Sequence, residues 1–233
     1  MAADGLNGSS LKELPLPVRT AGAAWFGVSA LVKPSAATPE LGAVRMHIGR
    51  HGYVGMVQLP SGAVDVAAAL DPGWTRKIGG PDAAVGAVLG ECGVEWALGE
   101  AAFHGSGLLT RRRTRVALPG LLVLGDAAGF VEPFTGEGMA WALAGAESAA
   151  AMVIMGLTGE RLAAAWTRWH ARRVRSRQIA CTLLRRIVRS PLMTGTTLGL
   201  IGAAPAIGRL AADVAAALAR PYPLPAHDEG SHA

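Results

Sequence analysis

Four segments in the first third of the chain alternate apolar and polar positions with the period of a β-strand. They cover residues 25–33, 42–48, 53–59 and 63–70, and the last two flank the turn sequence Pro60-Ser61-Gly62. Because successive side chains of a strand point to opposite faces, such segments suit a sheet with one buried face, and a short glycine-containing turn suits a hairpin. The pattern predicts an antiparallel sheet.

Helical patterns follow the predicted strands. Residues 81–92 read as a short helix with Pro81 in the first turn and Gly93 past the end, with a loop over a pocket as the alternative. Residues 137–156 are rich in alanine and contain no proline, which predicts an apolar helix. Its length would allow it to span a bilayer, but Glu147 and the flanking glycines favour a helix buried inside protein.

Residues 160–190 predict one long amphipathic helix or two, stopped by Pro191. Two apolar sets recur there at helical spacing and predict a core-facing side: Leu162, Trp166 and Trp169, then Ile179, Leu183 and Ile187. Residues 192–207 are apolar but interrupted by glycine and proline, residues 211–218 predict a final helix, and residues 220–233 predict a mobile tail.

Composition places the chain among globular proteins. Hydrophobic residues make up 51% and charged residues 17% of 233 residues, enough to bury a core. Two cysteines provide neither a disulfide framework nor a four-ligand zinc site, which favours a reducing, cytoplasmic setting, and residues 1–10 lack the pattern of a signal peptide.

The net charge of +5 is local, because residues 161–190 contain nine arginines and no acidic residue. A nucleic-acid binder would spread its charge more widely and interleave aromatic residues, which are only 5% here. A solvated helix face is the expected role of the arginines from Arg168 to Arg189. Peripheral contact with an anionic membrane is the alternative.

The most informative segment begins with the apolar run 121–124, which predicts a strand buried on both faces. The strand ends in Gly125-Asp126, and a helix opens soon afterwards at Gly136-Glu137-Gly138. This order places a carboxylate at the carboxyl edge of a sheet and a positively polarised helix end beside it. A flavin cofactor needs an acceptor for its ribityl hydroxyls, close access to the backbone, and a positive group near the ring edge that becomes negative on reduction. The whole segment offers all three, whereas Gly-Asp alone would indicate an ordinary turn.

The whole run 121–139, LLVLGDAAGFVEPFTGEGM, resembles the second FAD-binding motif of the flavoprotein monooxygenase and geranylgeranyl reductase superfamily, and is closer to the reductase branch. The resemblance implies that Asp126, with Gly125 and Ala127, binds the ribityl chain. It also implies that a second group of residues lies beside the isoalloxazine: Pro133, Gly136, Glu137, Gly138 and Met139.

The opening sequence 3–10, ADGLNGSS, is similar to the Asp-Gly motif of the same superfamily, which lies near the flavin pyrophosphate. The similarity implies cofactor contacts for Asp4 and Gly5. Two positions depart from the motif, since Gly8 stands where serine is common and Lys12 lies near where arginine is often found. A polar loop without a ligand is the alternative.

The superfamily also has an N-terminal βαβ unit with a Gly-x-Gly-x-x-Gly turn, and no such unit occurs here. The resemblance therefore implies the C-terminal portion of an enzyme, completed by a longer reading frame or by a partner chain. Loss of that unit should leave an exposed sheet edge and an uncovered apolar face.

The expected fold class is α+β, derived from α/β: an incomplete FAD-binding domain of the flavoprotein hydroxylase type joined to an antiparallel-sheet substrate domain and C-terminal helices. The expected units are an Asp-Gly segment (1–20), the substrate domain (21–110), the remaining FAD-binding strand and helix (111–157), the C-terminal helices (158–219) and the tail (220–233).

Other polar residues receive plainer interpretations. A cluster of arginines is expected in a solvated loop, with a phosphate or NAD(P)H site as the alternative: Arg111, Arg112, Arg113 and Arg115. Four histidines show no metal-ligand spacing and are expected to be hydrogen-bonded or exposed: His47, His51, His104 and His170. Cys92 is expected to be a buried apolar residue.

Function follows from the resemblance as an expectation. The chain would belong to an FAD-dependent oxidoreductase reduced by NAD(P)H, either a monooxygenase or an alkene or prenyl reductase, with no catalytic side chain assigned. The predicted sheet would form the floor of a pocket for an apolar, aromatic or prenyl substrate, lined by Trp25, Phe26, Tyr53 and Met56. The competing hypotheses are a non-catalytic remnant that binds an apolar molecule or a partner, and a peripheral membrane protein.

Overall fold

The computed structural model describes residues 1–20, 22, 24–95, 101–131 and 136–188. Its strands are β1 (Val18–Thr20), β2 (Phe26–Val32), β3 (Val44–Gly49), β4 (Gly52–Gln58), β5 (Val64–Leu70), β6 (His104–Leu108), β7 (Arg111–Arg113), β8 (Ala117–Leu118), β9 (Leu121–Leu122) and β10 (Gly129–Phe130). Its helices are α1 (Pro72–Lys77), α2 (Pro81–Glu91), α3 (Gly138–Ile154), α4 (Gly159–His170) and α5 (Ser176–Val188).

A five-stranded antiparallel sheet in the order β3–β4–β5–β2–β6 forms the larger layer. The predicted sheet is confirmed, and so is the hairpin between β4 and β5. There the Leu59 amide donates to the Ala63 carbonyl at 2.8 Å, and the Gly62 amide donates to the Leu59 carbonyl at 2.9 Å. Gly62 has a φ of 85°, a left-handed conformation that favours glycine.

The two faces of this sheet differ in residue size. One face packs against α2, where Val54, Val66 and Leu70 meet Val85 and Val88, all fully buried. The opposite face is built of small residues that pair across neighbouring strands: Gly27, Ser29, Gly55, Ala67 and Ala69. Because small side chains fill little space, this face leaves room for a ligand above it.

The predicted strand 121–124 is buried as expected but is shorter as a hydrogen-bonded strand. Only Leu121–Leu122 pairs with β8, while Val123 forms a parallel bridge with Ala2. Val123 and Leu124 continue the extended segment by pairing with Ala2 rather than with β8, so β9 itself is shorter than the predicted run. Gly125, with a φ of 55°, then turns the chain into a 3₁₀ helix over Gly125–Ala127, at the predicted end of the strand.

Helix α3 confirms the helix predicted over 137–156, but the prediction that it is buried inside protein is wrong. Trp141, Gly145 and Ala149 are its buried residues, whereas Met139 and Leu143 are 79% and 72% exposed. Among the residues that the structure describes, the neighbouring elements cover one side of this apolar helix and leave the other exposed. Within the described residues, no helix is both long and apolar enough to cross a membrane.

Helices α4 and α5 continue into each other through a π-helical turn at Ala171–Arg175. Leu162 and Trp166 are buried as predicted, and the Trp166 ring stacks on Trp169 with centroids 5.0 Å apart. The prediction fails in α5, where Ile179 and Leu183 are 56% and 54% exposed. A π-turn holds one more residue than an α-turn, so it rotates the buried side of α5 onto Gln178 and Cys181, while Val174 is buried within the turn itself.

Two further expectations are corrected by the fold. Cys92 is exposed at the C-terminal end of α2, where its thiol donates to the Ile48 carbonyl at 3.5 Å, so it is not a buried core residue. Within the described ranges, His47 and His170 each have a buried Nε2 atom with no hydrogen-bond partner, so these two histidines are neither hydrogen-bonded there nor exposed. The Ile187 side chain and the predictions for residues 189–233 lie outside the described residues.

Candidate functional site

The turn after the short buried strand places Asp126 in the middle of the molecule. Its carboxylate is half-buried and accepts no hydrogen bond from any residue that the structure describes. Burial raises the pKa of Asp126 above its ordinary value, because the charged form loses hydration. A partly desolvated acceptor without a donor lowers the stability of a folded protein, and such groups are typical of ligand-binding sites.

The first turn of α3 lies directly beside this carboxylate. A Cβ atom added to Gly138 would lie 3.9 Å from the Asp126 Oδ1 atom and 3.7 Å from the Phe130 ring. The N-cap residue Glu137 makes no side-chain capping bond, so the first amide groups of α3 receive no cap from it. The structure thus brings together the predicted carboxylate and the predicted positive helix end.

The N-terminal loop reaches the same edge because Ala2 runs parallel to Val123. The Ala2 amide donates to the Leu122 carbonyl at 2.8 Å, and the Leu124 amide donates to the Ala2 carbonyl at 2.9 Å. Two parallel segments end at the same edge, so the loop that starts at Asp4 and the turn at Asp126 emerge together.

The Asp4 carboxylate is hydrogen-bonded within its own loop. Its Oδ2 atom accepts from the Ser10 amide at 2.7 Å and from the Ser9 hydroxyl at 3.3 Å. The Ser10 amide in particular lowers the pKa of Asp4. Gly5 turns with a φ of 72°. This carboxylate shapes the loop, and its contact with a cofactor stays a prediction.

Arg111 and Arg113 lie behind the N-terminal loop and fix its position, which corrects the expectation that they are solvated, whereas Arg112 and Arg115 are exposed as expected. Arg113 is buried and donates from Nε to the Ala127 carbonyl at 2.6 Å and from Nη1 to the Leu16 carbonyl. Arg111 donates to the Leu6 carbonyl at 2.9 Å. Both lie on β7, a strand that pairs with β1 and β10.

Asp126 lies between two cavities. A polar cavity of about 300 Å³ is lined by the loop around Gly8, by Lys12, by Arg111–Arg113 and by Asp126. A larger, mainly apolar cavity of about 590 Å³ covers the small-residue face of the sheet. Leu6 and Asp126 line both cavities, so one carboxylate faces a basic chamber and an apolar chamber at once.

The lining of the apolar cavity agrees only partly with prediction. Tyr53 and Met56 contribute to it, whereas Trp25 and Phe26 do not. Sequence reasoning missed Leu6, Phe130 and the glycines and alanines of the floor. Strand alternation could have indicated the floor, because these small residues alternate with the buried valines of the opposite face.

Some of the other residues that are predicted to contact the cofactor lie at the two cavities, and others do not. Gly125, Asp126, Ala127 and Gly138 lie at the site. Glu137 turns its side chain away from both cavities and accepts from the Cys181 thiol at 3.4 Å, while the Met139 side chain lines neither cavity. Gly136 is exposed with a φ of 70°, and Pro133 lies outside the described residues.

Two buried polar side chains, His170 and Trp141, lie near Asp126 in a third cavity. His170 and Trp141 line this narrow cavity with Asp126 and Gly138, and the His170 Nε2 and Trp141 Nε1 atoms are buried with no hydrogen-bond partner in the described part of the chain. Burial lowers the pKa of His170 to about 4, so its imidazole is neutral at pH 7. Among the described residues, no cluster of histidine, cysteine and carboxylate side chains could hold a metal ion.

The fold is similar to that of flavin-dependent enzymes of known structure. The flavin-dependent brominase Bmp2 superposes with a TM-score of 0.68 at 16% identity, over 93% of this chain and 56% of its own. HpxO of Klebsiella pneumoniae, solved with FAD and uric acid, gives a TM-score of 0.61 at 15% identity, over 84% of this chain and 53% of its own. The Diels-Alderase PyrE3 of pyrroindomycin biosynthesis gives 0.67 at 17% identity, over 93% and 48%.

These likenesses establish an α+β fold similar to that of flavoprotein hydroxylase-type structures, and identities this low show the fold alone. The chain spans about half the length of these proteins. No protein-family model matches the sequence, and no curated protein matches it either.

Proposed function

We propose that this chain carries the flavin-binding side of an FAD-dependent oxidoreductase that is reduced by NAD(P)H. The observation that carries the proposal is the Asp126 carboxylate, half-buried between two cavities and without a donor among the described residues. The hydroxyl groups of a ribityl chain are donors of the required kind, and each would relieve the cost of the unpaired acceptor.

The surroundings of Asp126 fit this cofactor chemically. The first amide groups of α3 lie beside the carboxylate and suit the flavin edge that becomes negative on reduction. Lys12 and the arginines of β7 make the polar cavity basic, which suits an anionic cofactor. When bound, FAD would supply the redox chemistry, while this chain would bind it, orient it and exclude water from one side.

The apolar cavity supports an apolar, aromatic or prenyl substrate. Glycine and alanine residues of the sheet line its floor, and Leu6, Tyr53 and Phe130 add larger apolar side chains. Because Asp126 and Leu6 also line the polar cavity, a substrate there would adjoin a flavin held by Asp126. We propose a cytoplasmic monooxygenase or alkene reductase, the latter suggested by the resemblance of the run 121–139 to geranylgeranyl reductases.

Titration with riboflavin and with FAD tests the proposal, because riboflavin contains the ring and the ribityl chain but no nucleotide. The purified chain should bind both, and Asp126→Asn should weaken binding by about tenfold or more, the value of one hydrogen bond to a charged group. Asp82→Asn, on the exposed start of α2, is the matched control and should leave both affinities unchanged. Failure of both flavins to bind, or equal effects of the two variants, would refute the assignment.

A second candidate is a non-catalytic module that binds an apolar molecule. It is favoured by one observation, that the antiparallel sheet supplies most of the lining of the apolar cavity. Binding of an apolar fluorescent dye that is blocked by Ala67→Phe, combined with no binding of riboflavin, would favour this function over the first.

A further inference from the structure

A carboxylate lies on the cavity-facing side of β5, the central strand of the larger sheet. Asp65 stands between Val64 and Val66, which are fully buried on the side of α2. Because successive side chains of a strand alternate, Asp65 shares the opposite face with Ala67 and Ala69, which line the floor of the apolar cavity. The cavity is therefore lined by a charged side chain at a position of the strand where its neighbours on the same face are alanines.

The cross-strand neighbours of Asp65 do not balance its charge. In register, Asp65 lies opposite Leu31 of β2 and Val57 of β4, and Val57 in turn pairs with Val44 of β3. Leu31 and Val44 are 64% and 68% exposed, so the carboxylate stands among apolar side chains. Asp65 forms neither an ion pair nor a side-chain hydrogen bond with any residue that the structure describes. A cation that also carries apolar surface is the ligand that such a carboxylate suits best.

The charges around the apolar cavity are of one sign. Asp65 and Asp126 both line it, whereas its lining within the described part of the chain includes no lysine or arginine. His104 belongs to this lining, but it lies on β6, which is two strands away from β5. The cavity is thus acidic in a chain whose net charge is +5. An acidic cavity with apolar walls attracts cations and repels anions.

The two carboxylates lie at different ends of the cavity floor. Leu6 and Phe130 pack against the cluster that contains Ala69, and Phe130 and the Asp126 carboxylate both lie against the first turn of α3. The Ala69 end of β5 is therefore the flavin end of the cavity. Asp65 lies four residues along the same strand, about 13 Å from Ala69 at about 3.3 Å per residue. A ligand that extends from the flavin end to Asp65 would span this length.

We propose that the apolar cavity selects a substrate with an apolar body and a protonated amine, and that Asp65 binds the amine. The apolar body would lie on the alanine floor, and the reacting part of the substrate would lie at the flavin end. This inference deepens the proposed function and rests on it, because only a bound flavin makes the ligand a substrate. It narrows the substrate class from apolar molecules in general to amines. Asp65 is a specificity-determining residue, and no chemical step is assigned to it.

Binding of decylamine, decanol and decanoate tests the proposal, because these ligands have the same chain and differ in the charge of one end. Their affinities are measured by calorimetry and by displacement of the neutral apolar dye Nile red. At pH 8 an alkylamine is protonated, since its pKa is close to that of lysine at about 10.4, and an ordinary imidazole with a pKa of about 6.5 is neutral. Decylamine should bind about fivefold or more tightly than decanol, and decanoate should bind more weakly than decanol. Equal affinities for the amine and the alcohol, tighter binding of the carboxylate, or no binding of the amine would overturn the proposal.

Variants assign the preference for the amine to one residue. Asp65→Asn should remove the advantage of decylamine over decanol and leave the affinity for decanol unchanged, which also shows that the cavity is intact. Asp65→Glu, which keeps the charge, should retain the preference, and so should the matched control Asp82→Asn on the exposed start of α2. Ala67→Phe should block all three ligands, because it fills the cavity floor. A preference that survives Asp65→Asn, or that is lost only in Asp126→Asn, would refute the role of Asp65.

Riboflavin titration separates this inference from the proposed function. Asp65 lies about 13 Å from the flavin end, so Asp65→Asn should leave the affinity for riboflavin unchanged. A loss of riboflavin affinity in this variant would show that Asp65 serves the flavin and not the substrate, which overturns the inference. A chain that binds riboflavin but does not prefer the amine refutes the inference alone. A chain that prefers the amine through Asp65 but binds no riboflavin refutes the proposed function, and Asp65 then belongs to a binding site for amines.

Discussion

Replacing Gly8 with alanine should destabilise this protein far more than the same change at Gly62. Both glycines have a left-handed backbone, with φ of 53° and 85°. They differ in what surrounds them, because a Cβ atom at Gly8 would lie 2.5 Å from the Arg113 Nη2 atom, whereas a Cβ at Gly62 would have nothing within 4 Å.

Arg113 cannot move aside without losing hydrogen bonds. The side chain is buried, and its guanidinium is held by the carbonyl groups of Ala127 and Leu16. The left-handed backbone costs alanine about 1 kcal/mol at either glycine. Displacement of a charged donor from a buried acceptor adds about 2 kcal/mol at Gly8 alone. The expected losses are therefore about 3 kcal/mol for Gly8→Ala and about 1 kcal/mol for Gly62→Ala.

Urea unfolding followed by tryptophan fluorescence measures both losses, since the six tryptophans report on the fold. Equal losses for the two variants would show that Arg113 yields freely and that its hydrogen bonds do not fix the loop. Gly8→Ala should also weaken riboflavin binding, because Arg113 holds Ala127, the neighbour of Asp126. Unchanged binding would refute that link between the loop and the site.

Three further results are expected. Burial raises the pKa of Asp126, so its contribution to stability is present below about pH 4 and is lost as the pH rises. In urea titrations, Asp126→Asn should therefore be more stable than the parent chain at pH 7, and this difference should disappear in acid. The pKa of His170 is lowered to about 4, so stability should fall by up to about 3 kcal/mol as the pH drops from 6.5 to 4, and His170→Phe should remove that slope. Ala67→Phe should abolish binding of an apolar dye in the apolar cavity and should change the free energy of unfolding little. Ala83→Phe, on the exposed side of α2, should change neither dye binding nor the free energy of unfolding.

Local patterns predicted the elements well where one face of each is buried against its own neighbours. The strands β2 to β5 and helix α2 lie within one or two residues of their predicted bounds, because strand alternation and the proline and glycine boundaries are local signals. The failures have identifiable causes. A π-turn rotated α5, so that Ile179 is exposed, and Val123 pairs with Ala2 instead of extending β9.

The candidate site was predictable in its chemistry but not in its assembly. The order of Gly125, Asp126 and Gly138 in the sequence indicated a carboxylate followed by a helix end, and the structure places them together. The role of Arg113 was not predictable, because its acceptors lie 14 and 97 residues away. The same holds for Leu6, which meets Asp126 at the boundary of the two cavities only through the pairing of Ala2 with Val123.

The sequence by itself determined the antiparallel sheet, the helices and the residue types of a flavin-binding turn, since these depend on neighbours within a few positions. Only the tertiary structure decided that Asp126 lies between a basic and an apolar cavity, and that among the described residues it has no donor and one side of α3 has no cover. Burial and pairing across distant segments set these properties, because the free energy of an unpaired charge or an exposed apolar face depends on what the rest of the chain brings beside it.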